Sequence, residues 1–202
     1  MDFSARAVAL FVVIAMFAGT AGCTKPGRKA GSAPPPRPKS LYYDTRALLQ
    51  AAQKNSATDA LLKRTVTDDA PEQEALVQHP DWAKELAIFN LADLAKPAWA
   101  GMFRVDTAPS AAGVKVRYTA TSTKPEVRQL TLLLSTKGVP LAISTQVAAS
   151  NYLFSSESFA YISFAYPYGA TKPMIDSLAV DGNQKIIFAD PFNYHLDGRA
   201  VR

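Results

Sequence analysis

The chain has one cysteine in 202 residues, two histidines, and ten glycines scattered singly. A single thiol excludes an intramolecular disulfide framework. Two histidines, with no HExxH and no CxxC, leave no ligand spacing for a metal site. Scattered glycines exclude a phosphate-cradling loop, and no GxSxG elbow marks a nucleophilic serine. Beyond residue 40 no apolar run approaches the roughly 20 residues of a membrane-spanning helix. No repeat of roughly 20 to 50 residues recurs, which argues against solenoids and propellers.

What is present begins at the amino terminus. Arg6 is followed by AVALFVVIAMFA, residues 7–18, the length of a signal-peptide apolar region. Gly19, Thr20, Ala21 and Gly22 then place small side chains directly before Cys23. Small residues before a cysteine, behind a short apolar run, resemble the lipobox of bacterial lipoproteins. The resemblance implies that residues 1–22 are a signal peptide. It also implies that the Cys23 sulfur takes a diacylglycerol and that the new amino terminus is acylated. Two other readings stay open: an exported protein with a free thiol, and a retained single-span anchor. One acyl chain anchors marginally at about 0.8 kcal/mol per buried methylene, whereas two or three hold a domain stably. Thr24 stands where an Asp would signal inner-membrane retention in many Gram-negative bacteria. The resemblance therefore implies the outer membrane, with the domain facing the periplasm.

Residues 23–40 form the next unit. TKPGRKAGSAPPPRPKS has no large apolar side chain, so this stretch is expected to be a disordered tether. It carries Lys25, Arg28, Lys29, Arg37 and Lys39 and no acid, while residues 41–202 hold 16 basic and 16 acidic side chains. The net charge of +5 thus belongs to the tail. Cations beside a lipidated residue favour anionic headgroups. Without interleaved aromatics they do not predict nucleic-acid binding.

Residues 41–202 suit one domain. The spacing of Ala47, Leu48, Ala51 and Ala52 behind Asp44 predicts a helix. TDALLKRTVTDDAPEQEALV predicts a short hairpin turning at Asp68-Asp69-Ala70-Pro71. Trp82, Leu86, Phe89 and Leu94 predict a second helix from Pro80 to Lys96, in which Asp81 and Glu85 lie on a solvated face. After Gly101 the period drops to two. VKVRYTAT, QLTLLLS, PLAISTQVA, YLFSSESFAYISF, PMIDSLAV and KIIFADPF read as strands, with Asp181-Gly182-Asn183 as a hairpin turn. The expected fold is α+β: an N-terminal helix, a short β-hairpin and a second helix packed on a curved antiparallel meander of six or seven strands.

YYDTRALLQAAQ, Trp82, Glu85, Leu86, Phe89, Asp93 and Lys96-Pro97-Ala98-Trp99 resemble small outer-membrane lipoproteins of Bacteroidota. In that group an aromatic-aspartate start opens the first helix, and a tryptophan-bearing helix ends in Lys-Pro-Ala and an aromatic. The resemblance covers about half of the folded part. It implies an anchored, periplasm-facing domain without a known activity. At fold level the anchored antiparallel sheet with helices on one face also looks like lipoprotein-carrier half-barrels.

The search for chemistry yields little. His79 precedes Pro80 and His195 is expected in a loose terminal stretch, so no metal site, cofactor or enzyme activity is predicted. The serines of SSES, with Glu157, are expected on the polar side of a strand. The surplus lies in aromatics. Tyr152, Phe154, Phe159, Tyr161, Phe164, Tyr166 and Tyr168 fall within seventeen residues. Phe154, Phe159, Tyr161, Phe164 and Tyr166 are the candidates for an apolar groove or a partner surface. Two functions follow as expectations. One is a non-catalytic binding or scaffold module that meets an envelope protein. The other is a carrier of lipids or other apolar ligands in a half-open β-barrel groove.

Overall fold

A computed structural model describes residues 42–167 and 171–202. Cys23, the expected signal peptide and the expected tether lie outside the described residues, as does Tyr168.

Helix α1, Thr45–Asn55, starts where the Asp44 carboxylate accepts the Ala47 N–H at 2.9 Å. That bond satisfies one of the orphan donors of a helix start. Leu48, Leu49 and Ala52 form its buried face. The hairpin β1, Ala60–Thr67, and β2, Ala70–Val77, turns at Asp68-Asp69.

The segment expected as one long helix is broken. It forms α2, Trp82–Glu85, and α3, Ala87–Leu91, joined at Leu86, and then a 3₁₀ turn, Pro97–Trp99. Geometry gives the reason. At 3.6 residues per turn, Leu94 would point about 120° away from Trp82. The breaks let Trp82, Leu86, Phe89, Ala92 and Leu94 all become buried. Asp81 caps α2 through the Lys84 N–H, and the Trp82 indole donates to the Ser56 carbonyl at 2.8 Å.

Seven further strands follow: β3, Phe103–Ser110; β4, Gly113–Ala120; β5, Val127–Ser135; β6, Pro140–Ser150; β7, Phe154–Ala165; β8, Met174–Ile186; and β9, Phe192–Val201. All nine strands form one antiparallel sheet in the order β2-β1-β9-β8-β7-β6-β5-β4-β3. The fold is therefore mostly antiparallel β, and the α+β expectation with six or seven strands is overturned. More than half of the described residues are in strands, while the α-helices hold 11, 4 and 5 residues.

Three particulars account for the difference. The β1–β2 hairpin is part of the main sheet, because β1 pairs with β9 along its whole length. FRVDTAPS, with Asp106 and Pro109, forms the edge strand β3, the position in a sheet where proline is tolerated. Asp181-Gly182-Asn183 is the middle of β8, and the turn into β9 comes at residues 187–191.

The connection from β2 to β3 runs from one edge of the sheet to the other and carries α2, α3 and the 3₁₀ turn. With α1 it covers one face. Leu61, Leu130, Leu132, Ile143, Ala160, Ile162, Ile175 and Leu178 are buried there with Leu86, Phe89 and Leu94. Glu85, expected on a solvated face, instead accepts from Lys63 of β1 at 2.9 and 3.1 Å. Both side chains are nearly buried, so this pair ties the crossing segment to the sheet. On the same side the Asp59 carboxylate, 5% exposed, lies 3.3 Å from the Arg202 guanidinium.

Candidate functional site

Side chains of a strand alternate between the two faces, and paired residues of neighbouring strands share a face. The register therefore gives the composition of the face without helices. It carries Arg64 and Val66 of β1, Asn193, His195 and Asp197 of β9, and Asp181 and Asn183 of β8. Glu157, Phe159 and Tyr161 of β7 and Ser144 and Gln146 of β6 follow.

The centre is His195. Its Nδ1 lies 2.5 Å from Asp181 Oδ1, directly across on β8, and its Nε2 lies 2.7 Å from Asp197 Oδ2, two residues along β9. Arg64 donates to the same Asp197 oxygen at 3.1 Å and reaches Glu72 of β2 at 3.4 Å. One chain of charges, Glu72–Arg64–Asp197–His195–Asp181, thus crosses four strands. Hydrogen bonds from Asp181 first, then Asp197, hold the His195 pKa above its ordinary 6.5. For Asp197, partial burial pushes the other way, but the bonds from His195 and Arg64 outweigh it and its pKa falls below 3.8.

This geometry limits the chemistry. With a carboxylate on each ring nitrogen, both contacts are satisfied only by the imidazolium, which donates from both sides. Such a ring has no free nitrogen to take a proton, so it is not arranged as a general base. Its two nitrogens face apart, and among the described residues no group of three His, Cys, Asp or Glu converges on a metal position. Ser158 lies on the opposite face, where its hydroxyl meets Tyr194 Oη at 3.1 Å. Among the described residues no serine is hydrogen-bonded to a histidine.

Around this chain the open face is concave. Val66, Asp68, Glu157, Phe159, Asp181 and His195 are among the residues lining an open depression of about 620 Å³. Its polar rim is internally bonded. Asp68 accepts from the Asn193 backbone and side chain at 2.9 and 2.8 Å, and Gln146 donates to Glu157 at 2.6 Å. A second depression of about 370 Å³ lies beside it, lined by Lys115, Arg117, Gln129, Thr131, Ser144 and Tyr161 among others. The first is rich in carboxylates and the second carries two cations. Phe159 and Tyr161 stand between them on β7, 46% and 38% exposed.

The five aromatics singled out in the sequence do not line one groove. Phe159 and Tyr161 belong to the open face. Phe164 is buried in the core, and Tyr166 packs against it while donating to the Pro140 carbonyl at 2.8 Å. Phe154 is half-buried at the start of β7. His79 is exposed before Pro80.

The His195 cluster was missed because His195 was expected in a loose stretch. The signal was present in FNYHLDGRAV, which alternates Tyr194, Leu196, Gly198 and Ala200 against His195, Asp197 and Arg199. Two Asp-Gly pairs disguised it by imitating turns. Inside the strands these glycines make room. The Tyr194 ring lies over Gly182 where any Cβ would overlap it, and Leu61 and Leu178 close on Gly198.

No family model, no curated protein and no solved structure matches the chain.

Proposed function

We propose that the protein is a lipid-anchored, periplasm-facing outer-membrane lipoprotein whose folded domain is a non-catalytic binding module for another protein of the cell envelope. The anchor half of this proposal rests on the sequence at Cys23. The binding half rests on one observation: Phe159 and Tyr161 stand half-exposed between an acidic and a basic depression on the helix-free face. Tyrosine and other aromatics are enriched where partners make their strongest contacts, and flanking charges of opposite sign select the orientation of an incoming surface. Continuous backbone pairing of β2, β1, β9 and β8 makes the face a stiff platform. Non-catalysis is supported by the engagement of both His195 nitrogens. The carrier alternative draws no comparable support. In a half-barrel the ligand would occupy the helix-covered side, where Leu86, Phe89, Leu130, Ile143 and Ile162 are packed at 0–1% exposure.

The test is site-specific photocrosslinking of the full chain in its own envelope, with the crosslinker at position 159 or 161 and a control at Lys137. A discrete protein adduct is expected at 159 and 161 and not at 137. The adduct should disappear when Arg117→Glu reverses the charge of the basic depression. Equal labelling at all three positions would reject the binding face. Anchoring is read separately, by the mass of the amino-terminal peptide and its loss of acyl mass in Cys23→Ser.

A further inference from the structure

One end of the sheet carries apolar side chains that the binding face does not use. The β6–β7 turn, Asn151-Tyr152-Leu153, leaves Tyr152 87% and Leu153 57% exposed. The neighbouring β8–β9 turn presents Ile186, Ile187 and Phe188, and Phe188 is fully exposed. The two turns act as one piece, since Phe154 pairs with Ile186 and the Ile187 N–H donates to the Leu153 carbonyl at 2.9 Å. Phe188 has a φ of 68°, a left-handed conformation that is unfavourable for an aromatic residue. A glycine would relieve that strain, so the exposed ring is held at an energetic cost.

We propose that these paired turns dip into the interfacial layer of a lipid bilayer, giving the domain a membrane contact of its own. Three observations select lipid over a rigid protein surface. The patch is a convex pair of hairpin tips, which suits a medium that flows around it. Part of the backbone at the tips is already bonded internally. The Asn151 carboxamide accepts the Leu153 and Phe154 N–H groups, the Asn151 N–H bonds to the Phe154 carbonyl, and the Ala189 N–H bonds to Ile186. Backbone polar groups must be satisfied in this way before they can leave water. The side chains also suit the depth: Tyr152 is the amphipathic type found at bilayer interfaces, and Lys185 beside the tip can keep its ammonium in the headgroups. Asp190 in the same turn sets the limit of insertion. Upstream of the domain, the apolar run 7–18 and the five tether cations add membrane chemistry to the same chain. The proposal depends neither on acylation of Cys23 nor on the partner face.

The experiment uses the full chain with Cys23→Ser, carrying one nitroxide through Phe188→Cys, Tyr152→Cys or Lys137→Cys. Lys137 lies in the turn at the opposite end of the sheet. The protein is mixed with vesicles of phosphatidylethanolamine and phosphatidylglycerol, and the accessibility of each nitroxide to oxygen and to a water-soluble nickel chelate is measured. The oxygen-to-nickel ratio should rise severalfold at both 188 and 152 and stay unchanged at 137. An unchanged ratio at 188 on vesicle-bound protein, or failure to bind vesicles, overturns the proposal. So does a rise at only one of the two tips, because the turns are tied. Spin–spin broadening at 188 that is the same without vesicles would assign the patch to a second copy of the chain and also overturn it. The labelled positions are exposed, and thermal unfolding by circular dichroism verifies that each variant is folded.

Discussion

The covered and open faces of the sheet come from the same strands, yet they respond differently to change. On the covered face Leu61, Phe89, Leu130 and Ile162 have no exposure, and the charged pair Lys63–Glu85 is shielded from water. On the open face the charge chain Glu72–Arg64–Asp197–His195–Asp181 remains in contact with solvent, with side chains 36–58% exposed. One face uses apolar burial and the shielded Lys63–Glu85 pair to hold the crossing segment down. The other uses a run of weak contacts that cost little to alter. Stability is therefore concentrated on one side of the sheet, and the other side tolerates substitution.

The sharpest way to expose that asymmetry is Phe89→Ala. It empties a fully buried site between α3 and the sheet and is expected to cost about 3–5 kcal/mol in urea unfolding. Next comes Lys63→Met, which leaves the Glu85 carboxylate nearly buried without its cation. A loss of about 3 kcal/mol is expected, and the double variant Lys63→Met with Glu85→Leu should recover much of it. No recovery would mean that the pair does more than neutralise charge.

On the open face His195→Gln should cost only about 0.5–1 kcal/mol, because the contacts are partly solvated. Its signature is pH dependence. The His195 pKa is raised in the folded protein, so its contribution is fully present below about 6.5 and lost as pH rises through the folded value. Asp197 is lowered, so its contribution is present above about 3.8 and lost as pH falls through its own folded value. The cluster contributes most between these limits. Urea midpoints from pH 6 to 9 should decline in the native chain, and His195→Gln should lose that slope. Smallest of all, Phe159→Ala and Tyr161→Ala should each change stability by less than about 0.5 kcal/mol while abolishing the crosslinked adduct. A large loss of stability in either would remove the distinction between the faces.

The sequence displayed the alternation of the inner strands β4 to β6 clearly, because one face is apolar and the other mostly polar. It concealed the β3 edge and the last strand. β3 carries Asp and Pro and lacks the alternation of a half-buried strand, as an edge strand is free to do. β9 and the middle of β8 contain Asp-Gly pairs, a turn signal whose glycines here clear space for Tyr194, Leu61 and Leu178. The second helix was misjudged because local periodicity pointed to a helix, while burial of Leu94 required breaks. The candidate site shows the same division. Phe159 and Tyr161 were identifiable as surplus aromatics, but the cluster around His195 exists only through pairing between strands distant in sequence.

That pairing has a consequence for the order in which the sheet can form. Arg64 and Asp197, in neighbouring strands, are separated by 133 residues. Among the described residues β9 is the strand that joins the β1–β2 hairpin to β8 in the sheet, and it follows the other eight in the chain. Closure of so distant a pair is intrinsically slow. Until β9 arrives, the sheet lacks the strand that completes it. A polypeptide emerging in order therefore completes its sheet only when β9 appears.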